Sequence, residues 1–264
     1  MFGQNQIMKR EFDRNGVTQP FLVQEVFHTL QGEGPFSGQP AVFVRFAGCH
    51  LACTFCDTDF ESAAHNQSLD ELVRTIEDCR GQARLVVLTG GEPMRQTLHK
   101  LVGRLVDGFE GVAPLFGVVQ IETAGTFWEP ELLPFIQREK LVVVCSPKTR
   151  YVHPLLRSNC DDWKYVVRAG SFGAPARLTP FGIPYEATQT HAPDGLAEPS
   201  HKPVYVDLGH GRIREVPKKA VVWLSPCDEY DDVKNAANRQ LAVELCLDHG
   251  HKLSLQVHKI VKLP

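Results

Sequence analysis

Residues 48–58 read GCHLACTFCDT and set Cys49, Cys53 and Cys56 at a C-x3-C-x2-C spacing. Three thiols so close in sequence can converge on one point. Cysteine thiolates are the usual ligands of iron–sulfur clusters, and a four-iron cubane held by only three of them keeps one iron open. A small molecule with its own donor atoms can fill that position. The competing assignment is a structural zinc site, which needs a closed shell of four ligands completed by His50, His65 or another cysteine. No second Cys-x2-Cys pair and no His-x3-His segment follows to close such a shell, which favours the cluster.

Around this loop the chain runs to 264 residues at 43% hydrophobic content, enough to bury a full core. The formal net charge is −3 and the Lys and Arg residues are scattered, so there is no basic field for a phosphate backbone. Nucleic acid is therefore not expected as a direct partner. The first sixteen residues, MFGQNQIMKREFDRNG, are polar, and no apolar run is long enough to span a bilayer. The expectation is a reducing cytoplasm, no membrane attachment and no disulfide framework. Cys79, Cys145, Cys160, Cys227 and Cys246 stand singly and read as small core residues.

Residues 1–19 lack periodicity and read as an extension to a single domain at 20–264. Residues 21–27, FLVQEVF, have strand character and run into HTLQGEG at 28–34, whose glycines flank Glu33 and allow a tight loop near a ligand. Residues 41–47, AVFVRFA, alternate: Val42, Val44 and Phe46 share one face, and Phe43, Arg45 and Ala47 share the other. If helices cover the first face, Arg45 enters the concave side of the sheet. There its guanidinium needs a carboxylate or phosphate, from Glu33, another protein group or a substrate.

Beyond the cysteines, Ser68 and Glu71 form a capping box ahead of Leu69, Leu72, Val73 and Ile76 at helical spacing. LVVL at 85–88 is the apolar run of a parallel strand covered on both faces, and it ends in TGGEP at 89–93. Leu98, Leu101, Val102 and Leu105 mark another helix. Residues 118–121 then run into ETAG at 122–125, a helix falls around 130–140, and LVVVC at 141–145 runs into SPK at 146–148. Two further strands, at 163–167 and 220–224, bracket an irregular insertion at about 168–202, and a hairpin is expected at 204–216. His191, His201 and His210 lack metal-ligand spacing. A long helix at 231–249 capped by Gly250 and a last strand at 253–257, with His258 at its end, complete the chain.

An apolar strand, a polar signature at its C-terminal end and then a helix, several times over, is the pattern of a parallel βα barrel. The short spacing between strands predicts an α/β fold of the partial, open (β/α)6 TIM-like type. In such folds the loops after the strands converge on one mouth, so the cysteine loop, TGGEP, ETAG and SPK are expected to share a site.

The cysteine spacing, Phe55 just before the third cysteine, and TGGEP in the right order behind them resemble the radical S-adenosylmethionine superfamily. The resemblance implies one [4Fe-4S] cluster on Cys49, Cys53 and Cys56, with S-adenosylmethionine on the open iron. It further implies S-adenosylmethionine contacts from Phe55, Gly90, Gly91 and Glu92, the last accepting from the methionine ammonium. Lys148 and Ser146 are expected at the methionine carboxylate, and Glu122 or Thr123 at a ribose hydroxyl. More narrowly, HTLQGEG, GQPAVFVRFAGCHLACTFCDT, TGGEP, ETAG, SPK and a C-terminal QVHK, in that order, resemble the 7-carboxy-7-deazaguanine synthase family. That resemblance implies conversion of 6-carboxy-5,6,7,8-tetrahydropterin to 7-carboxy-7-deazaguanine with loss of ammonia, on the way to queuosine and other deazapurines. It implies magnesium at Thr58, a pterin site drawn from Leu30, Gln31, Glu33, Arg45, Thr89, His258 and the terminal carboxylate of Pro264, an electron donor such as flavodoxin or ferredoxin, and a homodimer. A radical S-adenosylmethionine activating enzyme acting on a protein glycine is the alternative within the superfamily, and it would need a peptide groove. The resemblance gives no role to the extension or the insertion.

Overall fold

A computed structural model describes residues 20–51, 53, 55–149, 151–170 and 220–263. The expectations for residues 1–19, most of the insertion, the hairpin, His191, His201, His210 and Pro264 lie outside the described residues. In chain order the strands and helices are β1 (Phe21–Leu30), β2 (Pro40–Phe46), β3 (His65–Gln67), α1 (Leu69–Cys79), β4 (Leu85–Gly90), α2 (His99–Val106) and β5 (Val118–Thr123). There follow α3 (Leu133–Gln137), β6 (Leu141–Cys145), α4 (Pro154–Ser158), β7 (Asp162–Val167), β8 (Val221–Pro226), α5 (Asp232–His249), β9 (Lys252–Leu253) and α6 (Val257–Ile260).

One sheet runs in the order β3-β1-β2-β4-β5-β6-β7-β8-β9. From β2 to β9 every pairing is parallel, and the six longer strands of that stretch are the expected partial barrel. At the other edge β1 pairs antiparallel with β2 and β3. It also extends three residues past the expected strand, through His28, Thr29 and Leu30, because β2 offers partners as far as Pro40.

The alternation in the sequence becomes the two sides of this sheet. Val42, Val44, Phe46, Val86 and Leu88 are fully buried against Leu72, Ile76, Leu101 and Leu105 of α1 and α2. The intervening Leu85 and Val87 turn to the concave side, where with Ala41, Phe36 and Phe43 they form a small apolar plug. The uninterrupted LVVL run is thus explained by cover on both faces.

Helix ends are satisfied locally or from afar. The Ser68 hydroxyl accepts from Glu71 N, and the Glu71 carboxylate accepts from Ser68 N at 2.8 Å, completing the expected capping box. Helix α2 has no cap of its own. Instead the buried Glu129 carboxylate accepts from Leu98 N at 2.8 Å and His99 N at 3.0 Å, satisfying donors that would otherwise be orphaned.

The expected strand at 253–257 needs correction. β9 is only Lys252–Leu253, paired with β8 alone, and the chain leaves the ladder at Ser254, whose hydroxyl accepts from Gly34 N at 3.1 Å. Val257 N then donates to Gly32 O at 3.1 Å, and α6 with His258 folds across the mouth. At the sheet edge two ladder positions give little, and docking on the loop after β1 competes successfully. That docking also joins the two ends of an open sheet that no backbone ladder joins among the described residues.

Candidate active site

The C-terminal ends of the parallel strands surround a cavity of about 750 Å³. Cys49, Cys53 and Cys56 all line it, and all three are free thiols. Burial pushes Cys49 up to about 12 and Cys53 to about 11, and raises Cys56 as well, so these groups stay thiols until a metal displaces their protons. Among the described residues the three sulfurs do not all lie within 4.8 Å of one another. On one tetrahedral zinc they would be about 3.8 Å apart, given Zn–S bonds of about 2.3 Å. Three thiols that open on one cavity, with no fourth protein ligand grouped with them among the described residues, suit a four-iron cluster with one open iron, so the donor set fits the cluster.

Glycines hold the cysteine loop in place. A Cβ on Gly91 would lie 2.1 Å from Gly48 O, and one on Gly90 would lie 2.2 Å from Phe46 O. The loop also hangs on Glu92 N, which donates to Gly48 O at 3.0 Å. Here TGGEP needs glycine for protein against protein, in addition to any approach of a ligand. His50, named above as a possible zinc ligand, is a tether. Its Nε2 lies 2.6 Å from the Thr126 hydroxyl and its ring rests on Phe127, while burial and Arg95 push its pKa down to about 4, so the ring is neutral.

Glu92 is only 1% exposed and does not line the cavity. Its carboxylate accepts from the Thr123 hydroxyl at 2.7 Å, Ala124 N at 2.8 Å and Met94 N at 3.1 Å, tying the end of β4 to the end of β5. These three bonds fix the orientation of the carboxylate that the sequence assigns to an ammonium. Thr123 is engaged in the same tie, and Gly125 N donates to its hydroxyl at 3.0 Å. Phe55, Gly90, Gly91, Ser146 and Lys148 do line the cavity, and the Lys148 ammonium donates to Ser146 O at 3.1 Å and to its hydroxyl. Burial lowers the Lys148 pKa, while Cys53 beside it opposes that shift.

The concave floor carries a second polar set. Glu122, expected near a ribose, lines the cavity and accepts from Gln31 Nε2 at 3.1 Å, the Thr89 hydroxyl at 3.1 Å and Gln120 Nε2 at 2.9 Å. It thus stands with residues assigned to the pterin. Gln31 is a strut here, because its carbonyl oxygen also accepts from Glu33 N at 3.1 Å. Glu33 is gripped on both oxygens: Oε2 accepts from Lys164 Nζ at 2.7 Å and Oε1 from the Ser225 hydroxyl at 2.6 Å. Burial alone would raise its pKa, but Lys164 and Ser225 outweigh burial and hold it below the usual carboxylate value.

Arg45 does enter the concave side, but its partner is Glu25 on the neighbouring strand, not Glu33. Its guanidinium lies over Phe27, 5.2 Å from the ring centre, and its Nε is buried without a hydrogen-bond partner among the described residues. Thr58 lines the cavity beside Asp57. Lys259 of α6 reaches Asp57 and Asp228 at 3.0 Å each, and the His258 ring packs where a side chain on Gly32 would be. Leu30, Thr89 and His258 also line the cavity.

Sequence reasoning missed Lys164, Ser225, Asp57, Asp228 and Lys259. The first two were findable by the argument that placed Arg45. Trp163, Tyr165 and Val167 face the core, so Lys164 must face the cavity, and Ser225 follows likewise from Val222 and Leu224. The other three join through loops and carry no such period.

The Radical SAM superfamily profile matches residues 43–147. A 7-carboxy-7-deazaguanine synthase from Rhodospirillum rubrum is 40% identical to this chain over 269 aligned residues, covering 100% of both. The chain belongs to the 7-carboxy-7-deazaguanine synthase family. A second member, from Rickettsia prowazekii, is 32% identical over 90% of this chain and 87% of its own length. The fold is shared with the crystal structure of QueE from Escherichia coli, 24% identical, with a TM-score of 0.57 over 90% of this chain and 94% of that one. For a member of the 7-carboxy-7-deazaguanine synthase family within this superfamily, the cofactors are a [4Fe-4S] cluster and S-adenosylmethionine. The alternative of an activating enzyme for a protein glycine is thereby set aside.

Proposed function

We infer that this protein converts 6-carboxy-5,6,7,8-tetrahydropterin to 7-carboxy-7-deazaguanine with loss of ammonia. The observation that carries the reading is the end-to-end similarity to a synthase of that name, 40% identical with both chains fully covered. When bound, the cluster supplies the electron that cleaves the sulfonium of S-adenosylmethionine to a 5′-deoxyadenosyl radical. The protein's task is to hold a flat heterocycle in register with that radical.

Phe55, Gly90, Gly91, Ser146 and Lys148 hold S-adenosylmethionine, with the Lys148 ammonium at its carboxylate. Glu33 presents an ionised carboxylate to the adjacent N–H donors of the pterin, and Glu122, Thr89 and Leu30 complete the floor. Arg45, with Nε still available, takes the pterin carboxylate in place of part of its Glu25 contact. Thr58 supplies one oxygen to magnesium, which keeps waters and substrate oxygens for the rest of its octahedron. His258 on α6 closes the site from above.

The test is an anaerobic assay of the reconstituted protein with reductant, S-adenosylmethionine, magnesium and the pterin, read by mass spectrometry. 7-Carboxy-7-deazaguanine with little net loss of S-adenosylmethionine is expected. Deoxyadenosine without that product would leave the cluster reading standing and remove the substrate.

A further inference from the structure

Lys164 is the least expected charge in the cavity wall. It stands on β7 between two core residues, with its side chain 9% exposed, and donates to Glu33 at 2.7 Å. Glu122 and Asp57 add to the negative field around it, so the ammonium stays charged despite burial. Across from it the Ser225 hydroxyl holds the other oxygen of the same carboxylate at 2.6 Å. A carboxylate oxygen has two lone pairs, and each Glu33 oxygen spends one on the protein. The remaining pair on each oxygen can accept from two neighbouring N–H groups, the donor pattern along the edge of a 2-amino-4-oxopyrimidine ring.

We propose that Lys164 is a positioning residue for substrate specificity: with Ser225 it fixes Glu33 in one orientation and one charge state, as a two-pronged acceptor for the 2-amino-4-oxopyrimidine edge. This rests on Glu33 being a substrate contact, as read above. Lys164 touches no substrate in this scheme. It acts through Glu33.

The charge state is where this role departs from simple packing. Glu33 faces Lys164 from β7, Ser225 from β8, Asp57 from the cysteine loop, Lys148 from the loop after β6 and His258 from α6. Without Lys164, burial and Asp57 both favour the protonated acid. A protonated Glu33 loses an acceptor position and the charge that strengthens the other.

The experiment uses the reconstituted holoenzyme with S-adenosylmethionine under anaerobic conditions and follows binding of 6-carboxypterin, a fluorescent, unreactive ring with the same edge, from about pH 5.5 to 7.5. Wild type and Lys164→Arg are expected to bind with little pH dependence. Lys164→Met is expected to bind about tenfold more weakly at the acid end and to recover as Glu33 ionises. In Lys164→Met/Glu33→Gln the affinity stays low and the pH limb disappears. Equal weakening of Lys164→Met at every pH, or none, overturns the proposal. Should that variant not fold, Ser225→Ala decides: weaker binding about threefold supports a held carboxylate, and unchanged binding overturns it. If Glu33→Gln alone binds as wild type does, the substrate assignment of Glu33 fails, and the proposal with it. Absence of binding by the wild type itself would instead strike at the pterin reading.

Discussion

At the scale of single residues the glycines divide by what surrounds them. Gly91 leaves no room, since an added Cβ would meet the Gly48 carbonyl at 2.1 Å, and both sides of that contact are backbone. Gly38 has φ +86 but open space around it. Gly91→Ala is therefore expected to displace the cysteine loop and cut iron bound per chain to a small fraction of wild type. Gly38→Ala should cost only about 1 kcal/mol of left-handed backbone strain and leave iron loading unchanged. Iron analysis after reconstitution, alongside thermal unfolding, separates the two. Equal iron content in both variants would mean that the loop tolerates the shift.

Among the elements, α5 is the one whose ends were written most clearly. Asp231 accepts from Val233 N and Lys234 N, and Gly250 closes the helix at φ 69 with nothing near a future Cβ. Asp231→Ala and Gly250→Ala should each cost about 1 kcal/mol. The helix places them about 28 Å apart, so the double variant should lose the sum. Urea unfolding midpoints check both values. The short α6 behaves differently, because it is held by partners and not by its own length. Lys259→Ala removes the ammonium between Asp57 and Asp228 and leaves two carboxylates facing each other. The expected result is a Michaelis constant for the pterin several-fold higher, with turnover and iron content little changed. A fall in turnover at an unchanged Michaelis constant would show that α6 does not act in substrate capture.

For the whole molecule the distinctive feature is a sheet closed by side chains. Glu33 joins the loop after β1 to Lys164 on β7 and Ser225 on β8, while Gly34 N reaches Ser254 beyond β9. Since Glu33 titrates below its unfolded value, its contribution to stability is present above that value and is lost as pH falls through the folded one. Denaturant midpoints are expected to drop on acidification below about pH 4.5, the ordinary range for a glutamate. Glu33→Gln, already lacking that charge, should show a shallower acid slope. An identical slope would place the acid sensitivity elsewhere.

The sequence by itself determined the repeating strands and helices, the capping box, the cysteine loop and the facing of Arg45. These are written in local period or short motif, and the family resemblance rests on the same stretches. Tertiary structure alone decided which carboxylate meets which cation. Glu25 takes Arg45, Lys164 takes Glu33, and Lys259 spans Asp57 and Asp228, across separations that no local pattern encodes. It also gave Glu92 and Gln31 partners within the protein, because a buried polar atom takes whichever partner the fold brings within reach. The chain end shows the same division. Its apolar alternation reads as a strand, yet at a sheet edge with few ladder bonds available, docking over the mouth won.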